Sequence, residues 1–342
     1  MRKIDVFTHI YPAGFFEKLM KLAPDFKDTG KRSRGVPMLV DLDERFRVMD
    51  RFEGYQQILS LPTPPLEVMA GPAQALELAR SANDGMAELV ARHPQRFPGF
   101  VASLPFNDPD AALRETRRAV DELGACGIQI FSNVLGKPMV APEFLPLFEA
   151  MTAYDLPMWL HPYRGATISD YQSEDRSQFE IWWTFGWPYE TSVAMARMVF
   201  AGLFDRFPTL KIITHHMGAM APYFAGRLGP GLDQLGARTS DEDLSAVLKT
   251  LRKRPIDYFR MFYGDTALFG AYEATVCGLE FFGVDHVVFA SDAPFDPEKG
   301  PMYIRETIAV VDRLPVSAAD RERIYWRNAA GLLQLESEKV RK

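Results

Sequence analysis

The chain has 342 residues, of which 47% are hydrophobic and 25% are charged, the proportions of a globular protein with enough apolar material for a large core. These values exclude an intrinsically disordered or fibrous chain. The formal net charge is -6 and no long run of Lys or Arg occurs, so we expect no nucleic acid among its partners.

The number of cysteines and the length of the apolar segments predict the cellular location of the protein. Cys126 and Cys277 are too few for a disulfide framework, and both lie in segments predicted to be buried. Residues 1–5 begin no apolar signal segment, and nowhere do about 18 apolar residues follow one another. We therefore predict a cytoplasmic protein with no membrane partner.

Short apolar segments rich in strand-forming residues alternate with longer segments that have helical spacing. The predicted strands are residues 4–6, 57–61, 99–104, 127–131, 158–160, 211–213, 261–263 and 287–290. The predicted helices include residues 74–93, 108–124, 144–154, 190–207 and 272–282, with Asp108 and Asp241 as N-caps. Strands that alternate with helices pair in parallel, because each strand must return through a crossover.

Eight such units predict an α/β fold, a single (β/α)8 TIM barrel domain over residues 1–342. No Gly-x-Gly-x-x-Gly follows the first strand, which argues against a doubly wound dinucleotide-binding sheet. Two connections are long, residues 12–43 after strand 1 and residues 163–188 after strand 5. We expect these inserted loops on the C-terminal face, as lids or subunit contacts. Six aromatic residues in and beside the second loop would form a pocket wall or subunit contact, or pack into the core.

Histidine and aspartate side chains occur where several predicted strands end. His9 ends the first strand, His161 the fifth, the pair His215 and His216 the sixth, and Asp292 the eighth. Strand ends of one barrel share a rim, so these side chains should meet there. Imidazole and carboxylate are ligands for a borderline divalent cation, and three protein ligands with one open position make a catalytic site. Two further histidines, at positions 93 and 286, lie away from this rim and are predicted to be structural.

Eight short motifs occur in an order that is typical of one family. They are residues 4–9 (IDVFTH), 161–163 (HPY), 188–191 (PYET), 204–211 (FDRFPTLK), 216–218 (HMG), 226–228 (GRL), 291–294 (SDAP) and 328–330 (NAA). The chain resembles the amidohydrolase-2 branch of the amidohydrolase superfamily from residue 4 to residue 335. It is most similar to the aminocarboxymuconate-semialdehyde decarboxylase-like group, which includes γ-resorcylate and 5-carboxyvanillate decarboxylases.

The resemblance implies a metal-dependent non-oxidative decarboxylase of a small unsaturated or aromatic carboxylic acid. The cofactor would be one divalent metal ion, zinc before manganese, with His9, His161 and Asp292 as ligands. His216 matches the histidine that orients or activates water at the metal, and Asp292 would share the proton chemistry. Arg227 matches an arginine that reaches a substrate carboxylate from a neighbouring subunit, which implies a homodimer or a higher homo-oligomer.

The sequence departs from the family pattern at Phe7, which takes the place of the first histidine in a His-x-His pair. Residues 7 and 9 lie on one face of a strand, so an apolar ring fills a ligand position. Asp5 lies further down the same face, inside the barrel. Strand alternation places His215 on the opposite face to His216, as a core residue. Asp265, after the seventh strand, would either fix a histidine tautomer or cap a helix.

Two other functions remain open from the sequence. On the same metal site, a hydrolase or hydratase would add water to a related small acid instead of releasing carbon dioxide, and the fold alone does not separate these reactions. A non-catalytic relative would bind no metal and turn over no acid, and Phe7 is the feature that favours it.

Overall fold

Residues 1–23 and 29–335 are described by the structure, which is a computed structural model. Residues 24–28, within the predicted loop 12–43, and residues 336–342 of the predicted domain lie outside the described residues. The strands, numbered in chain order, are β1 (Lys3–His9), β2 (Tyr55–Ser60), β3 (Gly99–Phe100), β4 (Ile128–Phe131), β5 (Asn133–Val134), β6 (Lys137–Pro138), β7 (Met158–His161), β8 (Ile212–Thr214), β9 (Tyr263–Asp265) and β10 (Val287–Val288).

Helices connect most of these strands. The α-helices are Ala13–Leu22, Thr29–Arg34, Leu42–Met49, Leu66–Met69, Pro72–Arg92, Pro109–Asp121, Leu145–Tyr154, Ile181–Thr184, Gly186–Phe200, Leu203–Arg206, Ser245–Thr250, Pro255–Phe259, Tyr272–Phe282, Pro301–Arg313, Ala318–Glu322 and Asn328–Leu332. Short 3-10 helices lie at Pro37–Leu39, Pro142–Phe144, Leu232–Gln234 and Val284–His286, and π-helical turns at Arg227–Gly231 and Arg323–Arg327.

The parallel strands form a ring. The order β1-β2-β3 makes one sheet, and β4-β7-β8-β9-β10 makes another. Ala102, just after β3, bridges to Ile128 of β4, and Thr8 of β1 bridges to Ala293, in the segment that follows β10. The two sheets are therefore joined at both of their edges into one closed ring. The small β5-β6 hairpin is antiparallel and does not belong to this ring. The predicted TIM barrel is confirmed.

Side chains that point inward from the strands fill the barrel. Phe7 and Trp159 are fully buried there, and the Trp159 indole N–H donates across the interior to the carbonyl of Val6 at 2.9 Å. A second apolar layer lies between the strands and the outer helices. The barrel is thus a packed core whose chemistry can occur only at its ends.

Asp5 lies in the barrel interior, as predicted, and belongs to a buried hydrogen-bond network. It accepts hydrogen bonds from the Tyr55 hydroxyl at 2.6 Å, from the Ser291 hydroxyl, and from the Ser291 backbone N–H at 3.0 Å. Burial raises the pKa of Asp5 to about 7, although these hydrogen bonds favour the ionised form. Because Ser291 precedes Asp292, this network anchors the segment that carries the rim aspartate.

Three local predictions are wrong. The sequence predicts the seventh strand at residues 261–263, whereas β9 spans Tyr263–Asp265. The helix predicted over residues 190–207 is split, because Gly202 adopts a left-handed conformation between Gly186–Phe200 and Leu203–Arg206. Asp241 does not cap a helix: the helix begins at Ser245, whose backbone N–H donates to the Asp243 carboxylate. The Asp108 cap is confirmed, since its side chain accepts from the Ala111 N–H.

Glu67 is a buried carboxylate beside the barrel rim. Neither of its carboxylate oxygens has a hydrogen-bond partner among the residues that the structure describes, and burial raises its pKa to about 7. An ionised Glu67 therefore opposes folding. This destabilisation grows as the pH rises from the unfolded pKa of about 4.3 and is fully present above the folded value.

We expect Glu67→Gln to raise the free energy of unfolding at pH 8 by about 3 kcal/mol, with no such gain at pH 4. Urea unfolding of variant and parent at both pH values measures the difference. Glu88→Gln, at an exposed side chain, is the control and should change little. A Glu67→Gln effect of equal size at both pH values would contradict the argument.

No helix within residues 1–23 and 29–335 combines the length and the apolar character that a bilayer crossing requires.

Candidate active site

His9 and Asp292 meet at the carboxyl ends of the strands. His9 ends β1, and its Nε2 lies 3.0 Å from Asp292 Oδ1. Its Nδ1 lies 3.2 Å from the carbonyl oxygen of Leu61, which can accept the Nδ1 proton. The Asp292 N–H donates to the carbonyl of Phe7, so backbone pairing between strand ends sets this contact. Burial would raise the pKa of Asp292, but the neighbouring histidines, His215 above all, hold it well below its ordinary range.

His161 ends β7 and faces the same centre. Its ring centroid lies 5.6 Å from that of His9, and its Nδ1 is 2.7 Å from the carbonyl oxygen of Pro162. Burial lowers the pKa of His161 well below its ordinary value, and the charges of His215 and His9 add to this effect. The ring is therefore neutral near pH 7, with Nε2 available as an electron-pair donor.

His215 and His216 follow β8 in a tight turn. His216 and Met217 have φ angles of 55°, outside the helical range. Because the strand ends at Thr214, the alternation of side chains no longer applies, and both imidazoles turn towards Asp292. His215 Nε2 lies 3.3 Å from Asp292 Oδ1, and His216 Nε2 lies 3.7 Å from Asp292 Oδ2. The prediction that His215 points away from the site is wrong.

Two glycines make room for this turn. A Cβ atom at Gly278 would lie 2.0 Å from Met217 Cγ, and one at Gly264 would lie 2.9 Å from Met217 Sδ. Met217 therefore fills space that only glycine leaves open on the helix Tyr272–Phe282 and on β9. This packing fixes the turn and, with it, the direction of His216.

Asp265 fixes the orientation of His215. Its Oδ2 lies 2.5 Å from His215 Nδ1, and its Oδ1 accepts from the Ala267 N–H at 3.0 Å. Burial alone would lower the pKa of His215, but the carboxylates of Asp265 and Asp292 outweigh it and raise this pKa to about 9. The centre of the cluster therefore attracts positive charge. Of the two roles predicted for Asp265, the structure favours the contact with a histidine.

Phe7 lies among the histidines without adding a donor atom. Its ring stacks on that of His215 at a centroid distance of 3.8 Å and an interplanar angle of 13°. The rings of His9 and His161 are each 5.7 Å away. Phe7 is therefore a wall of the cluster, in the position that the sequence predicts for a lost ligand.

The cluster fits a divalent metal ion. One ring nitrogen from each of His9, His161 and His215 lies within 4.8 Å of the others, and the same holds for His215, His216 and a carboxylate oxygen of Asp292. Imidazole and carboxylate donors suit zinc, and the carboxylate also suits manganese. The Nδ1 atoms of His9 and His161 are engaged with carbonyl oxygens, which orients Nε2 inward.

Aromatic residues in and beside the long loop after β7 divide into two groups. Trp187 packs edge-to-face on His161 at 5.6 Å, with Trp182 behind it, so these rings line the site. Phe179, Phe185 and Tyr189 are exposed instead, by 92%, 68% and 55%. These three rings are therefore apolar surface that the described residues of this chain leave uncovered. The sequence left pocket wall, subunit contact and core packing open, and the loop contains both wall and exposed surface.

Arg227 lies outside the cluster formed by this chain. It is exposed, on the turn Arg227–Gly231, with its guanidinium over the Phe224 ring at 5.6 Å. His93 and His286 also lie elsewhere: the former packs on Phe46, and the latter stacks on Tyr263. The structure thus brings together His9, His161, His216 and Asp292 of the predicted site residues. It adds His215 and Asp265. The sequence feature that points to both is a polar residue at the end of a strand.

Comparisons with known proteins agree with the sequence motifs. A gamma-resorcylate decarboxylase from Polaromonas sp. is 34% identical over 310 residues, which cover 87% of this chain and 89% of that protein. A 2-amino-3-carboxymuconate-6-semialdehyde decarboxylase from Dictyostelium discoideum is 31% identical over 301 residues, with coverages of 87% and 78%.

Solved structures show the same likeness. The dihydroxybenzoic acid decarboxylase from Polaromonas sp. JS666, with bound manganese and the inhibitor 2-nitroresorcinol, has a TM-score of 0.79 and 29% identity over 99% of both chains. The 5-carboxyvanillate decarboxylase from Sphingomonas paucimobilis has a TM-score of 0.77 and 27% identity, over 97% of this chain and 99% of that one. These relatives are carboxy-lyases, the enzyme class that the motifs predict. Since the sequence also matches the amidohydrolase family over residues 4–335, the chain belongs to that family.

Proposed function

We propose that this protein is a metal-dependent decarboxylase of a small aromatic or unsaturated carboxylic acid. The observation that carries the proposal is the convergence of buried imidazoles on Asp292 at the barrel rim, in a chain whose relatives are decarboxylases. His9, His161 and Asp292 would hold one divalent ion. Zinc fits this donor set, and manganese is the ion bound in the similar Polaromonas structure.

When bound, the metal supplies Lewis acidity towards the substrate carboxylate and its neighbouring oxygen. The bond between the ring carbon and the carboxylate then breaks, carbon dioxide leaves, and the electron pair remains on the carbon, which must take a proton. Asp292 and His216, whose Oδ2 and Nε2 atoms lie 3.7 Å apart, would relay that proton from solvent to the carbon. Burial and the adjacent His215 lower the pKa of His216, which keeps it neutral near pH 7.

Trp187 and Phe131 add apolar surface beside His161, each with its ring centroid 5.6 Å from the imidazole. Such walls would exclude water from the substrate carboxylate and strengthen its interaction with the charged groups. They also suit a flat unsaturated or aromatic substrate, which stacks against rings.

Carbon dioxide release tests the proposal. The metal-loaded protein would be incubated with 2,6-dihydroxybenzoate, 5-carboxyvanillate and 2-amino-3-carboxymuconate 6-semialdehyde, with mass spectrometry of the gas and of the products. We expect one of these acids, or a close analogue, to yield carbon dioxide in step with its decarboxylated product. A product that has gained water, with no carbon dioxide, would identify the hydrolase or hydratase alternative. No product from any acid would favour the non-catalytic alternative.

We further propose a homodimer in which Arg227 of one copy reaches the substrate carboxylate in the other. The exposure of Arg227 and of the rings of Phe179, Phe185 and Tyr189 supports this arrangement. A guanidinium pairs with a carboxylate through two parallel hydrogen bonds, which would orient the acid. A cytoplasmic location is part of the same proposal and is supported by the free thiols of Cys126 and Cys277.

Mixing two inactive variants tests the shared site. Arg227→Ala and Asp292→Asn should each be inactive alone. After subunit exchange, half of the dimers are mixed and one of the two sites in each is intact, so about a quarter of the parent activity should return. Carbon dioxide release before and after exchange measures this recovery. If Arg227→Ala is inactive and mixing restores no activity, Arg227 acts in the site of its own chain. If Arg227→Ala is active, Arg227 has no part in the mechanism.

A further inference from the structure

One ring nitrogen at the centre of the cluster is left without a hydrogen bond. His215 is fully buried, and its Nε2 has no hydrogen-bond partner among the residues that the structure describes, although Asp292 Oδ1 is 3.3 Å away. A buried ring nitrogen without a hydrogen bond lowers the stability of the folded protein, because burial removes the water that would otherwise bond to it. The position therefore indicates a partner that binds at Nε2.

The other nitrogen of the same ring is firmly held. His215 Nδ1 lies 2.5 Å from Asp265 Oδ2, and Asp265 is itself fixed by the Ala267 N–H. A carboxylate that accepts the Nδ1 proton directs coordination to Nε2, which binds a metal ion as its own proton is released. A carboxylate, a histidine and a metal in this order are a common arrangement around zinc.

His9 and His161 have the same arrangement with backbone oxygens in place of the carboxylate. Their Nδ1 atoms lie 3.2 Å from the Leu61 carbonyl and 2.7 Å from the Pro162 carbonyl. In all three histidines Nδ1 is therefore engaged with an oxygen acceptor, and one nitrogen of each ring lies within 4.8 Å of the other two. The three rings form one set of donors around one centre.

Phe7 accounts for the presence of a third imidazole. It stands on the same strand face as His9, where a ligand is missing, and its ring lies flat on His215 at 3.8 Å. The stacked ring holds the plane of His215 so that Nε2 faces His9, His161 and Asp292. We propose that His215 is a metal ligand that replaces the one missing at Phe7, giving the donor set His9, His161, His215 and Asp292. This assignment rests on the proposed metal-dependent function.

Cobalt binding to the parent protein tests the assignment without any substitution. Co²⁺ added to chelator-treated protein shifts the proton resonances of its ligands, and each bound histidine with a protected Nδ1–H gives one shifted signal that disappears in deuterium oxide. We expect three such signals, from His9, His161 and His215. Two signals would overturn the assignment of His215 while leaving a metal site in place.

The affinity of the protein for Co²⁺ provides the second measurement. His215→Gln keeps a donor for Asp265 but offers no imidazole, and we expect it to bind Co²⁺ at least about tenfold more weakly than the parent in a competition titration. His286→Gln, on a histidine outside the cluster, should bind as the parent does. Circular dichroism confirms that both variants are folded. A folded His215→Gln variant with parental affinity would overturn the assignment.

An imidazole introduced at position 7 of the first strand should compensate for the loss of the His215 imidazole. The double variant Phe7→His with His215→Gln has an imidazole at position 7 in place of the one at 215, and we expect it to regain most of the lost Co²⁺ affinity. A double variant as weak as His215→Gln would count against the replacement of one position by the other. A parent protein that binds no Co²⁺ would overturn the proposed metal-dependent function together with the His215 assignment. A parent protein that binds Co²⁺ through only two histidines would overturn the His215 assignment alone.

Discussion

The Asp292→Asn variant is expected to lose about 10³-fold in kcat, because the proposed mechanism makes Asp292 both a metal ligand and a proton-transfer group. Asp292 Oδ1 lies 3.0 Å from His9 Nε2 and 3.3 Å from His215 Nε2, and Oδ2 faces His216. The amide keeps the shape of the carboxylate but removes its negative charge and its second acceptor oxygen. Steady-state release of carbon dioxide, with metal content determined on the same sample, measures both losses.

A matched control separates this effect from the general loss of an aspartate. Asp205→Asn changes a carboxylate that accepts a hydrogen bond from Tyr258, outside the cluster, and should leave kcat within about twofold of the parent. Normal turnover by Asp292→Asn would contradict the mechanism and would move the proton chemistry to another group.

The His161→Ala variant is expected to lose its metal. The parent protein, purified without chelator or nickel affinity resin, should hold roughly one equivalent of zinc or manganese, as a mononuclear site requires. His161 is neutral near pH 7 because burial lowers its pKa, so its Nε2 can coordinate without first losing a proton. Elemental analysis of parent and variant, prepared in parallel, gives the metal per chain.

His93→Ala is the control for metal loss, because His93 packs on Phe46 at a helix end and should not affect metal content. Equal metal in the parent and in His161→Ala would mean that the ion binds elsewhere. Metal absent from both would retire the metal-dependent mechanism and leave His216 with Asp292 as an acid-base pair.

Much of the rim could be predicted from periodicity. His9 and His161 are the last residues of apolar strands and Asp292 follows another, and parallel strands of a barrel place their carboxyl ends on one face. The alternation of residues along β1 also predicted that Phe7 shares the face of His9, and the ring contacts agree. These predictions succeed because a strand fixes side-chain direction through its backbone geometry, and they hold in β1 even though its register against β2 shifts between Asp5 and Thr8.

The remaining features depend on contacts between segments that are distant in sequence. The direction of His215 was mispredicted because strand alternation ends at Thr214 and the next residues form a turn with positive φ angles. The shift of β9 arises in the same way: Gly264 has low strand propensity, yet the packing of Met217 requires a residue without a side chain there. Tertiary packing outweighs local propensity at both places.

The contact between His9 and Asp292 joins residues 283 positions apart in the chain. The backbone bridge beside it, Thr8 with Ala293, joins the first barrel strand to the last. A growing polypeptide therefore has an incomplete donor set until nearly its whole length has been synthesised and the ring of strands has closed. Binding of the proposed ion would therefore follow closure of the ring, and a chain that stops before residue 292 would lack one of the four proposed donors.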